Sequence, residues 1–245
     1  MNFGIYLINL DRATERMAQM DEQLSVLDLA YTRISAVLGS ALPEPVEGFD
    51  QSAFTIRTGK HRNPGEIGCY FSHLKAMETF LESDHSHALI LEDDAQLPEY
   101  LSELLEAAIG MGNVWDLLRL SSSREGRYLT LAELPHGHQL VINTKVLKNT
   151  AAYLINRAGA QQCLKHLRPM KLPYDVALDR DWTMGVKTAC IHPFPIGLTE
   201  APGQIPKAPR ARLLRATTFH LFHLIDRFRR KCYRNKLACE SRDLL

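Results

Sequence analysis

The sequence predicts an α/β protein, because short apolar runs suited to buried strands alternate with longer stretches of helical periodicity. Residues 3–10 and 88–91 are almost wholly apolar, which is typical of strands buried on both faces of a sheet. Apolar residues recur at helical spacing over residues 66–80. With 245 residues, the chain is long enough for one large domain or two small ones.

Three consecutive carboxylates, Glu92, Asp93 and Asp94, follow the run 88–91 where the strand should end. Open α/β sheets bind ligands at the carboxyl ends of their strands. Adjacent carboxylates repel one another and lose hydration unless a cation lies among them. A Mg²⁺ or Mn²⁺ ion that carries a phosphate would fit this need. The alternative is a solvated acidic turn that caps the next helix.

Residues 3–10 predict the first strand, and Asp11, Arg12 and Arg16 follow it. Thr14 or Asp11 would cap a helix that runs to Leu27. A strand followed by a helix fits the start of a nucleotide-binding unit. Alternatively, these charged residues pair with one another on a solvated helix face.

The next part of the chain is predicted to hold a second strand at residues 31–39 and a loop-rich insertion at residues 40–63. A helix then begins at Glu66, after the turn signal Pro64-Gly65.

Cys69, Ser72 and His73 are neighbours on that helix. We disfavour a cysteine–histidine nucleophile here, because one rigid helix offers no third orienting group. A buried thiol and a hydrogen-bonding histidine fit better. Ser72 and His73 would still face a ligand if this helix lines the cleft.

The rest of the chain predicts further alternation of strands and helices. The expected elements are a helix at 101–109, a strand at 115–120, a hairpin within 124–149, a strand at 150–155, a helix at 157–167 that opens near Asn156, and an edge strand at 186–196. His192 fits an ordinary edge histidine better than a metal ligand.

A second group of carboxylates, Asp175, Asp179 and Asp181, follows Pro173. Pro173 suggests a helix start, which would place Asp175 and Asp179 one turn apart on one face. A carboxylate at a helix N-terminus suits a metal or hydroxyl acceptor better than a general base. A simple helix cap is the alternative.

Composition limits the class of protein. Hydrophobic residues make up 45% and charged residues 23%, as in ordinary globular domains. The five cysteines are an odd number with no CxxC pair, which favours a reducing cytosol. Residues 1–10 lack the basic region of a signal peptide. We therefore expect a cytoplasmic protein.

The C-terminal region is strongly basic. Residues 207–236 hold ten Lys or Arg residues and one acidic residue, although the whole chain has a formal charge of +1. Apolar residues such as Leu221, Ile225 and Phe228 recur at helical spacing among these charges. Such a helix could lie on an anionic membrane or pack on the body. Binding to nucleic acid is disfavoured by the acidic body.

The assembled pattern resembles glycosyltransferase family 25, and the resemblance spans residues 3–197. The segments that carry it are Ile8-Asn9-Leu10-Asp11-Arg12 with Arg16, Gly65-Glu66-Ile67-Gly68-Cys69 with Ser72-His73, Leu89-Ile90-Leu91-Glu92-Asp93-Asp94, Trp115-Asp116-Leu117-Leu118-Arg119-Leu120, Thr150 to Ile155 with Gly159-Ala160, and Pro173-Tyr174-Asp175.

The resemblance implies one GT-A domain with a mixed central sheet at residues 1–206, followed by a basic amphipathic helical tail at 207–245. It implies a UDP-sugar donor and Mn²⁺, or Mg²⁺, with Asp94 as a direct ligand and Glu92 or Asp93 at the metal's water shell or the ribose. Further residues would flank the donor: Asn9, Asp11, Arg12, Arg16, Glu66, Ser72 and His73.

The resemblance also implies an inverting hexosyltransferase, with galactose expected from family habit and a lipopolysaccharide or related glycan as acceptor. Asp175 is the expected base, and Asp179, Asp181 and Glu66 are alternatives. Many members carry a glutamate where this chain has Ser121, which leaves contacts at that strand end open. A non-catalytic nucleotide-sugar or glycan-binding relative and a metal-dependent phosphate-ester hydrolase are the other hypotheses.

Overall fold

The computed structural model describes residues 2–199, 211 and 217–244. The strands are β1 (Phe3–Asn9), β2 (Thr32–Ser35), β3 (His87–Glu92), β4 (Ala95–Gln96), β5 (Leu117–Arg119), β6 (Tyr128–Glu133), β7 (Gln139–Asn143), β8 (Ala152–Asn156), β9 (Thr188–His192) and β10 (Gly197–Leu198). The α-helices are α1 (Thr14–Val26), α2 (Gln51–Thr58), α3 (Pro64–Glu82), α4 (Leu101–Gly110), α5 (Arg157–Leu167), α6 (Tyr174–Leu178) and α7 (Thr218–Arg242).

In the described part of the chain, the central sheet has eight strands in the order β2–β1–β3–β8–β5–β9–β7–β6. β1 is parallel to β2 and β3, β8 is antiparallel to β3 and β5, and β5 is parallel to β9. Strands β1, β2, β3, β5 and β9 therefore end at one edge of the sheet, which we call the carboxyl edge. The predicted α/β class with a mixed sheet is confirmed.

Both faces of the sheet are covered, which explains the apolar runs in the sequence. Tyr6 and Ile8 of β1 belong to the core that includes the apolar side of α3. Ile5 and Leu7 point to the other face and belong to the core with α1 and α4. Alternate residues of one strand thus enter two different apolar layers.

Two predicted elements are confirmed closely. Helix α5 spans Arg157–Leu167, and the Asn156 side chain caps it by accepting the Gly159 N–H at 2.7 Å. The predicted hairpin is formed by β6 and β7, which pair antiparallel at one end of the central sheet.

The loop prediction for residues 40–63 was wrong in part, because the segment contains helix α2. The Asp50 side chain caps this helix by accepting the Ala53 N–H at 2.9 Å. Gly59 ends it in the left-handed conformation, with φ of 61°. Pro43, Pro45 and Gly48, which suggested a loop, all lie before Asp50.

Two predicted helix starts need correction. Helix α3 begins at Pro64 rather than Glu66, because Asn63 caps it through the Gly65 N–H at 3.0 Å. Neither Thr14 nor Asp11 caps α1, since Thr14 is its first residue and no side chain caps its N-terminus.

Two predicted strands also differ from the structure. Strand β2 ends at Ser35 because the next segment turns toward α3, where Val37 N–H donates to Ser72 Oγ at 2.8 Å. Strand β9 is not an edge strand, because β7 and β6 extend the sheet beyond it.

Helix α7 packs three of its charged side chains against the body. Asp226, Arg230 and Arg234 are buried, and Leu237 and Ala238 join the apolar core. A C-terminal helix is therefore present. The first part of the expected tail, with Arg212, Leu213, Leu214 and Arg215, and the expected domain boundary after residue 206 lie outside the described residues. Among the described helices, none combines the length and apolar character needed to cross a bilayer.

Candidate functional site

The ends of β1 and β3 bring two groups of predicted site residues together. Ile8 lies opposite Glu92 in the sheet, so the residues that follow each of them are neighbours. Asn9 Nδ2 donates to Asp93 Oδ2 at 2.8 Å, and Arg16 Nη1 donates to Asp93 Oδ1 at 3.0 Å. The Asp93 side chain is thereby held in place by two hydrogen-bond donors.

The negative charge of Asp94 is compensated by fewer contacts than that of Asp93. Its Oδ2 lies 3.9 Å from Arg16 Nη1, and its buried Oδ1 has no hydrogen-bond partner among the described residues. Burial and the neighbouring Glu92 carboxylate raise the pKa of Asp94 to about 6, and Arg16 offsets this only in part. A carboxylate that is short of positive charge is a suitable ligand for a hard cation.

Asp11 and Arg12 lie on the outer side of the carboxyl edge. Asp11 accepts hydrogen bonds from Arg33 Nη2 at 2.6 Å and Ser35 Oγ at 2.9 Å, which lower the pKa of Asp11. Arg33 also donates to Asn9 Oδ1 at 3.0 Å. Arg12 is exposed. The structure brings Asp11 near Asn9 through Arg33, a residue that sequence reasoning did not single out.

A cavity of about 360 Å³ lies beside Glu92, within the size range of small-ligand sites. Its wall includes three carboxylates and two lysines. The lining residues are Thr58, Lys60, Glu66, Cys69, Glu92, Lys148, Asn149, Thr150, Leu172, Pro173, Tyr174, Asp175, Val176, Phe219 and His223. Three predicted site residues, Glu66, Glu92 and Asp175, therefore meet in one cavity.

Glu66 lines the cavity from the first turn of α3. Its Oε1 accepts a hydrogen bond from Lys60 Nζ at 2.8 Å, whereas its buried Oε2 has no partner among the described residues. Because Lys60 already compensates the charge of Glu66, the free oxygen is suited to accepting a hydrogen bond from a ligand hydroxyl.

His73 holds Glu92 in position but does not line the cavity. Its ring is buried and stacks on Tyr174, with centroids 4.0 Å apart and planes within 2°. Nε2 lies 3.1 Å from Glu92 Oε1, and Nδ1 lies 3.2 Å from the Tyr153 hydroxyl. His73 therefore orients Glu92, and the expectation that His73 itself faces the donor is not met.

Ser72 also lies away from the cavity. Its buried Oγ donates to the Gly68 carbonyl at 2.7 Å and accepts the Val37 N–H at 2.8 Å. Both hydrogen bonds join α3 to the segment after β2. The expectation that Ser72 contacts a ligand is thus corrected, because its hydroxyl connects two parts of the backbone.

Asp175 lies in the first turn of the short helix α6, after Pro173, and lines the cavity. It is half-buried, and its Oδ1 accepts the Val176 N–H at 2.8 Å. Of the three carboxylates in this second group, Asp175 reaches the cavity.

Asp179 and Asp181 point away from the cavity, into a buried network with α7. Asp179 pairs with Arg230 at 3.1 Å and with Arg234 at 2.9 Å, and Asp181 pairs with Arg234 at 2.9 Å. Burial raises the pKa of Asp181 to about 6, although Arg234 opposes this. Asp179 lies directly after α6, and its N–H donates to the Asp175 carbonyl at 3.3 Å, so the two residues are one turn apart as predicted; the Asp179 side chain is nevertheless buried against α7. The alternative assignments of Asp179 and Asp181 as the base are therefore corrected.

Cys69 lies among the carboxylates of the site. Burial, and then Glu92 and Asp175, hold the pKa of the Cys69 thiol well above its ordinary value. A neutral thiol is a poor nucleophile, which agrees with the rejection of a cysteine nucleophile, but the predicted buried thiol is only partly buried and lines the cavity. One ligand atom each of Cys69, His73 and Glu92 lies within 4.8 Å of the others, so this trio is a second arrangement that could hold a metal ion.

Several cavity residues were not predicted as site residues, among them the charged or aromatic side chains of Lys60, Lys148, Phe219 and His223. Lys60 begins the short basic run Lys60-His61-Arg62 at the end of the predicted loop, and Lys148 lies in an irregular connection without a motif. Phe219 and His223 belong to α7, more than forty residues beyond Asp175 in the sequence. No local pattern indicates that α7 returns to this cavity.

Ser121, at the position where the resemblance expects a glutamate, has a structural contact. It is buried, and its Oγ accepts the Ala152 N–H at 3.0 Å, joining the end of β5 to β8. His192 is likewise structural, because its ring stacks on Tyr128 with centroids 4.0 Å apart.

Comparison with known families decides the classification of this fold and site. Residues 2–178 match glycosyltransferase family 25, described as LPS biosynthesis protein. The chain belongs to glycosyltransferase family 25. The matched segment holds β1, β3, α3 and α6, and thus every carboxylate that lines the cavity.

Curated relatives of this family-25 chain include a bacterial protein, a "Putative glycosyltransferase" of Haemophilus influenzae that is 24% identical and covers 71% of this chain and 60% of that protein, and several animal proteins. A "Glycosyltransferase 25 family member" of Anopheles gambiae is 26% identical over 182 residues, which cover 69% of this chain and 29% of that protein. "Procollagen galactosyltransferase 1" of Danio rerio is 27% identical and covers 70% of this chain and 30% of that protein. "Probable inactive glycosyltransferase 25 family member 3" of Rattus norvegicus is 24% identical and covers 65% and 29%. The chain thus spans about 30% of the length of these three animal relatives.

Proposed function

We propose that this family-25 chain transfers a hexose, galactose in the first instance, from a UDP-sugar to a hydroxyl of a lipopolysaccharide-type glycan. The observation that carries the proposal is the arrangement of carboxylates. Glu92 ends β3 at the carboxyl edge, Asp94 follows two residues later, and Glu92 shares a cavity with Asp175. In this proposal, Glu92 and Asp94 would hold a divalent cation, and Asp175 would be a separate carboxylate for proton transfer.

The residues fit a divalent cation, Mn²⁺ or Mg²⁺, held by Glu92 and Asp94. Asp94 Oδ1 is a buried oxygen without a partner among the described residues, and the pKa of Asp94 is raised by burial and by Glu92. Both features indicate missing positive charge at this point. When bound, such an ion neutralises charge that develops on the departing nucleoside diphosphate. Asp93, held by Asn9 and Arg16, would keep the strand end in the required conformation or accept the ribose hydroxyls.

The nucleotide would lie along the outer part of the carboxyl edge. Asn9, Arg16 and Arg33 form a continuous polar group there, and Arg12 is exposed beside them. Guanidinium groups suit the phosphates and the polar edge of a nucleotide. Asp11 is engaged with Arg33 and would act by holding it.

Asp175 is the proposed general base. It lines the cavity and keeps a carboxylate oxygen available beyond the one that accepts the Val176 N–H. An inverting transfer needs one base, which removes the proton from the acceptor hydroxyl as it attacks the sugar. Glu66, an alternative base, is paired with Lys60. Its negative charge is already compensated, so Asp175 is preferred as the base.

Galactose is supported by the name of the Danio rerio relative, a procollagen galactosyltransferase. The lipopolysaccharide-type acceptor is supported by the description of the family as LPS biosynthesis protein. The name of the Rattus norvegicus relative, probable inactive family member, favours keeping a non-catalytic binding role as the second candidate.

The first test measures thermal stabilisation by UDP-galactose, UDP-glucose and UDP-N-acetylglucosamine, each with and without Mn²⁺. A ligand that binds the native state raises the melting temperature. We expect a rise with UDP-galactose that requires Mn²⁺, is lost in Asp94→Asn and is kept in Asp84→Asn, which changes an exposed carboxylate elsewhere. No rise with any donor in the folded protein would contradict the proposal.

A second measurement separates catalysis from binding. UDP release from UDP-galactose is followed with deacylated lipooligosaccharides as acceptors. We expect Asp175→Asn to keep the Mn²⁺-dependent thermal shift and to lose UDP release. A wild-type protein that binds the donor but transfers to no acceptor would favour the non-catalytic candidate.

A further inference from the structure

The outer face of α7 presents a stripe of large apolar side chains to solvent. Leu221, Leu224, Ile225 and Phe228 form this apolar stripe, at spacings of three and four that place them on one helix face. Leu224 is 62% exposed and Phe228 is 71% exposed. These four are half of the eight exposed large apolar residues in the described part of the chain, so they are not the scattered kind common on protein surfaces.

The buried face of the same helix is charged. Arg230 follows Leu221 by nine residues, about two and a half turns, and therefore lies on the opposite side. Asp226 pairs with Arg180 at 3.0 Å, and Arg230 pairs with Asp179 at 3.1 Å. Rotating the apolar stripe inward would break these buried ion pairs, so the body holds the stripe outward.

Basic side chains flank the apolar stripe on both sides. Arg227 and Lys231 lie along one side and Arg229 and Lys236 along the other, and all four are exposed. A helix of this pattern lies in the plane of an anionic bilayer, with its apolar residues among the acyl chains and its cations at the headgroups. An apolar protein surface would match the stripe but not its four flanking cations.

We propose that the apolar stripe of α7 binds an anionic lipid surface and attaches the protein to it as a peripheral protein. The stripe supplies the apolar contact, and Arg227, Arg229, Lys231 and Lys236 supply the attraction to lipid headgroups.

The same helix joins this surface to the cavity. Phe219 and His223 of α7 line the cavity that holds Asp175, and Leu221 and Leu224 are on the same turns of the helix. Phe219 and His223 are each two residues from Leu221 and so lie on the opposite face of the helix. Binding through the stripe would therefore place the cavity one helix diameter, roughly 10 Å, from the lipid headgroups. If the proposed transfer is correct, on which this consequence rests, the acceptor is a glycan carried on a lipid in that membrane.

The test is co-sedimentation of the full chain with sucrose-loaded vesicles of phosphatidylcholine, alone or mixed with phosphatidylglycerol. We expect binding to the mixed vesicles only, weakened by added salt. The double variant Leu224→Glu with Phe228→Glu should lower the partition coefficient by about tenfold or more. The matched control, Val26→Glu with Leu244→Glu, changes two exposed apolar residues elsewhere and should bind like the wild type.

A charge variant tests the flanking cations separately. Arg227→Glu with Lys231→Glu should lower the partition coefficient by roughly tenfold and reduce the salt dependence. Lys165→Glu, at an exposed position of α5, should leave binding unchanged. Melting temperatures of all variants establish that they are folded.

Three results would overturn the proposal. They are absence of wild-type binding to the mixed vesicles, full binding by the folded Leu224→Glu/Phe228→Glu variant, and a wild-type dimer that this variant converts to a monomer. The last result would show that a second copy of the chain covers the stripe. Vesicle binding needs neither donor nor metal, so its failure is separate from a failure of the donor-induced thermal shift.

Discussion

Side chains at the carboxyl edge differ sharply in how well their charges are compensated. Asp93 accepts hydrogen bonds from two side chains, whereas Asp94 has a buried oxygen without a partner among the described residues. An uncompensated buried charge opposes folding, and residues retained in that state are often binding residues. We therefore expect the charge of Asp94 to lower the free energy of unfolding until a cation binds.

Asp94→Asn should stabilise the metal-free protein at pH 7.5. Because the folded-state pKa of Asp94 is raised to about 6 from 3.8, the folded chain holds a proton that the unfolded chain has released. The free energy of unfolding of the wild type should thus fall as the pH rises from about 4 to about 6. We expect the variant to gain of the order of 2 kcal/mol at pH 7.5, and the difference to vanish near pH 4.

This expectation is measured by urea unfolding in the presence of a chelator. Adding Mn²⁺ should stabilise the wild type and not the variant. A metal-free wild type that equals or exceeds Asp94→Asn in stability at pH 7.5 would contradict the charge assignment.

His73→Phe should weaken metal binding by about tenfold to a hundredfold, as expected when a group that orients a metal ligand is lost. The ring stack on Tyr174 can be kept by Phe, but the contact with Glu92 Oε1 at 3.1 Å is removed. The affinity for Mn²⁺ is measured by calorimetry. His166→Phe, at an exposed position of α5, is the control and should bind Mn²⁺ like the wild type. Unchanged affinity in folded His73→Phe would show that Glu92 does not need this support.

Among the elements, α3 contributes most to the site, since it carries Glu66, Cys69 and His73. Its first turns approach the segment after β2 very closely. A Cβ atom on Gly68 would lie 2.4 Å from the Val37 carbonyl oxygen and 2.8 Å from Gly39 N. Both are backbone atoms, so neither can move aside easily, and the glycine is needed for this contact.

Gly68→Ala should therefore destabilise the protein by about 2–3 kcal/mol, because α3 must shift away from the 37–39 segment. The free energy of unfolding in urea is the measurement. Gly110→Ala is the control within α4, where a Cβ atom would meet no atom within 4 Å, and it should be neutral or slightly stabilising. Equal stability of the two variants would rule out the close contact.

At the scale of the whole molecule, α7 packs on the body although it lies beyond the residues matched to the family. The match ends at residue 178, yet Asp179 and Asp181 are buried against Arg230 and Arg234 of α7. Breaking a buried ion pair by removing one partner leaves an uncompensated charge. Helix α7 is thus a part of the folded body as well as a surface element.

Arg234→Met should destabilise the protein by about 3–5 kcal/mol, since two buried carboxylates lose a counter-charge. Lys236→Met removes an exposed pair with Glu240 on the same helix and should change stability by less than about 0.5 kcal/mol. Both are compared by the midpoint of urea unfolding. Adding Asp181→Asn to Arg234→Met should restore part of the loss; a double variant as unstable as the single one would contradict the ion-pair explanation.

Local patterns predicted the parts of the fold that depend on neighbouring residues. The run 88–91 predicted a buried strand because its side chains enter apolar layers on both sides. Asn156 predicted the start of α5 because an N-cap bond forms within one turn. The segment 40–63 was predicted poorly, since its prolines and glycine obscured the cap at Asp50.

The candidate site was predicted where its residues follow strand ends. Asn9 and Arg16 meet Asp93 because β1 and β3 are parallel neighbours in the sheet. Ser72, Asp179 and Asp181 were assigned to the site because they lie close in sequence to residues of the recognised motifs. Their real partners, Val37, Arg230 and Arg234, are distant in sequence and could not be inferred from spacing.

The sequence by itself determined the family, the α/β class and the acidic strand end, because these follow from local periodicity and short motifs. Only the tertiary structure decided which carboxylates share a cavity and which are neutralised by α7. It also decided that α7 buries its charged face and exposes its apolar stripe. The physical reason is that burial and ion pairing depend on contacts between residues far apart in the chain, and a helical pattern alone does not say which face meets the body.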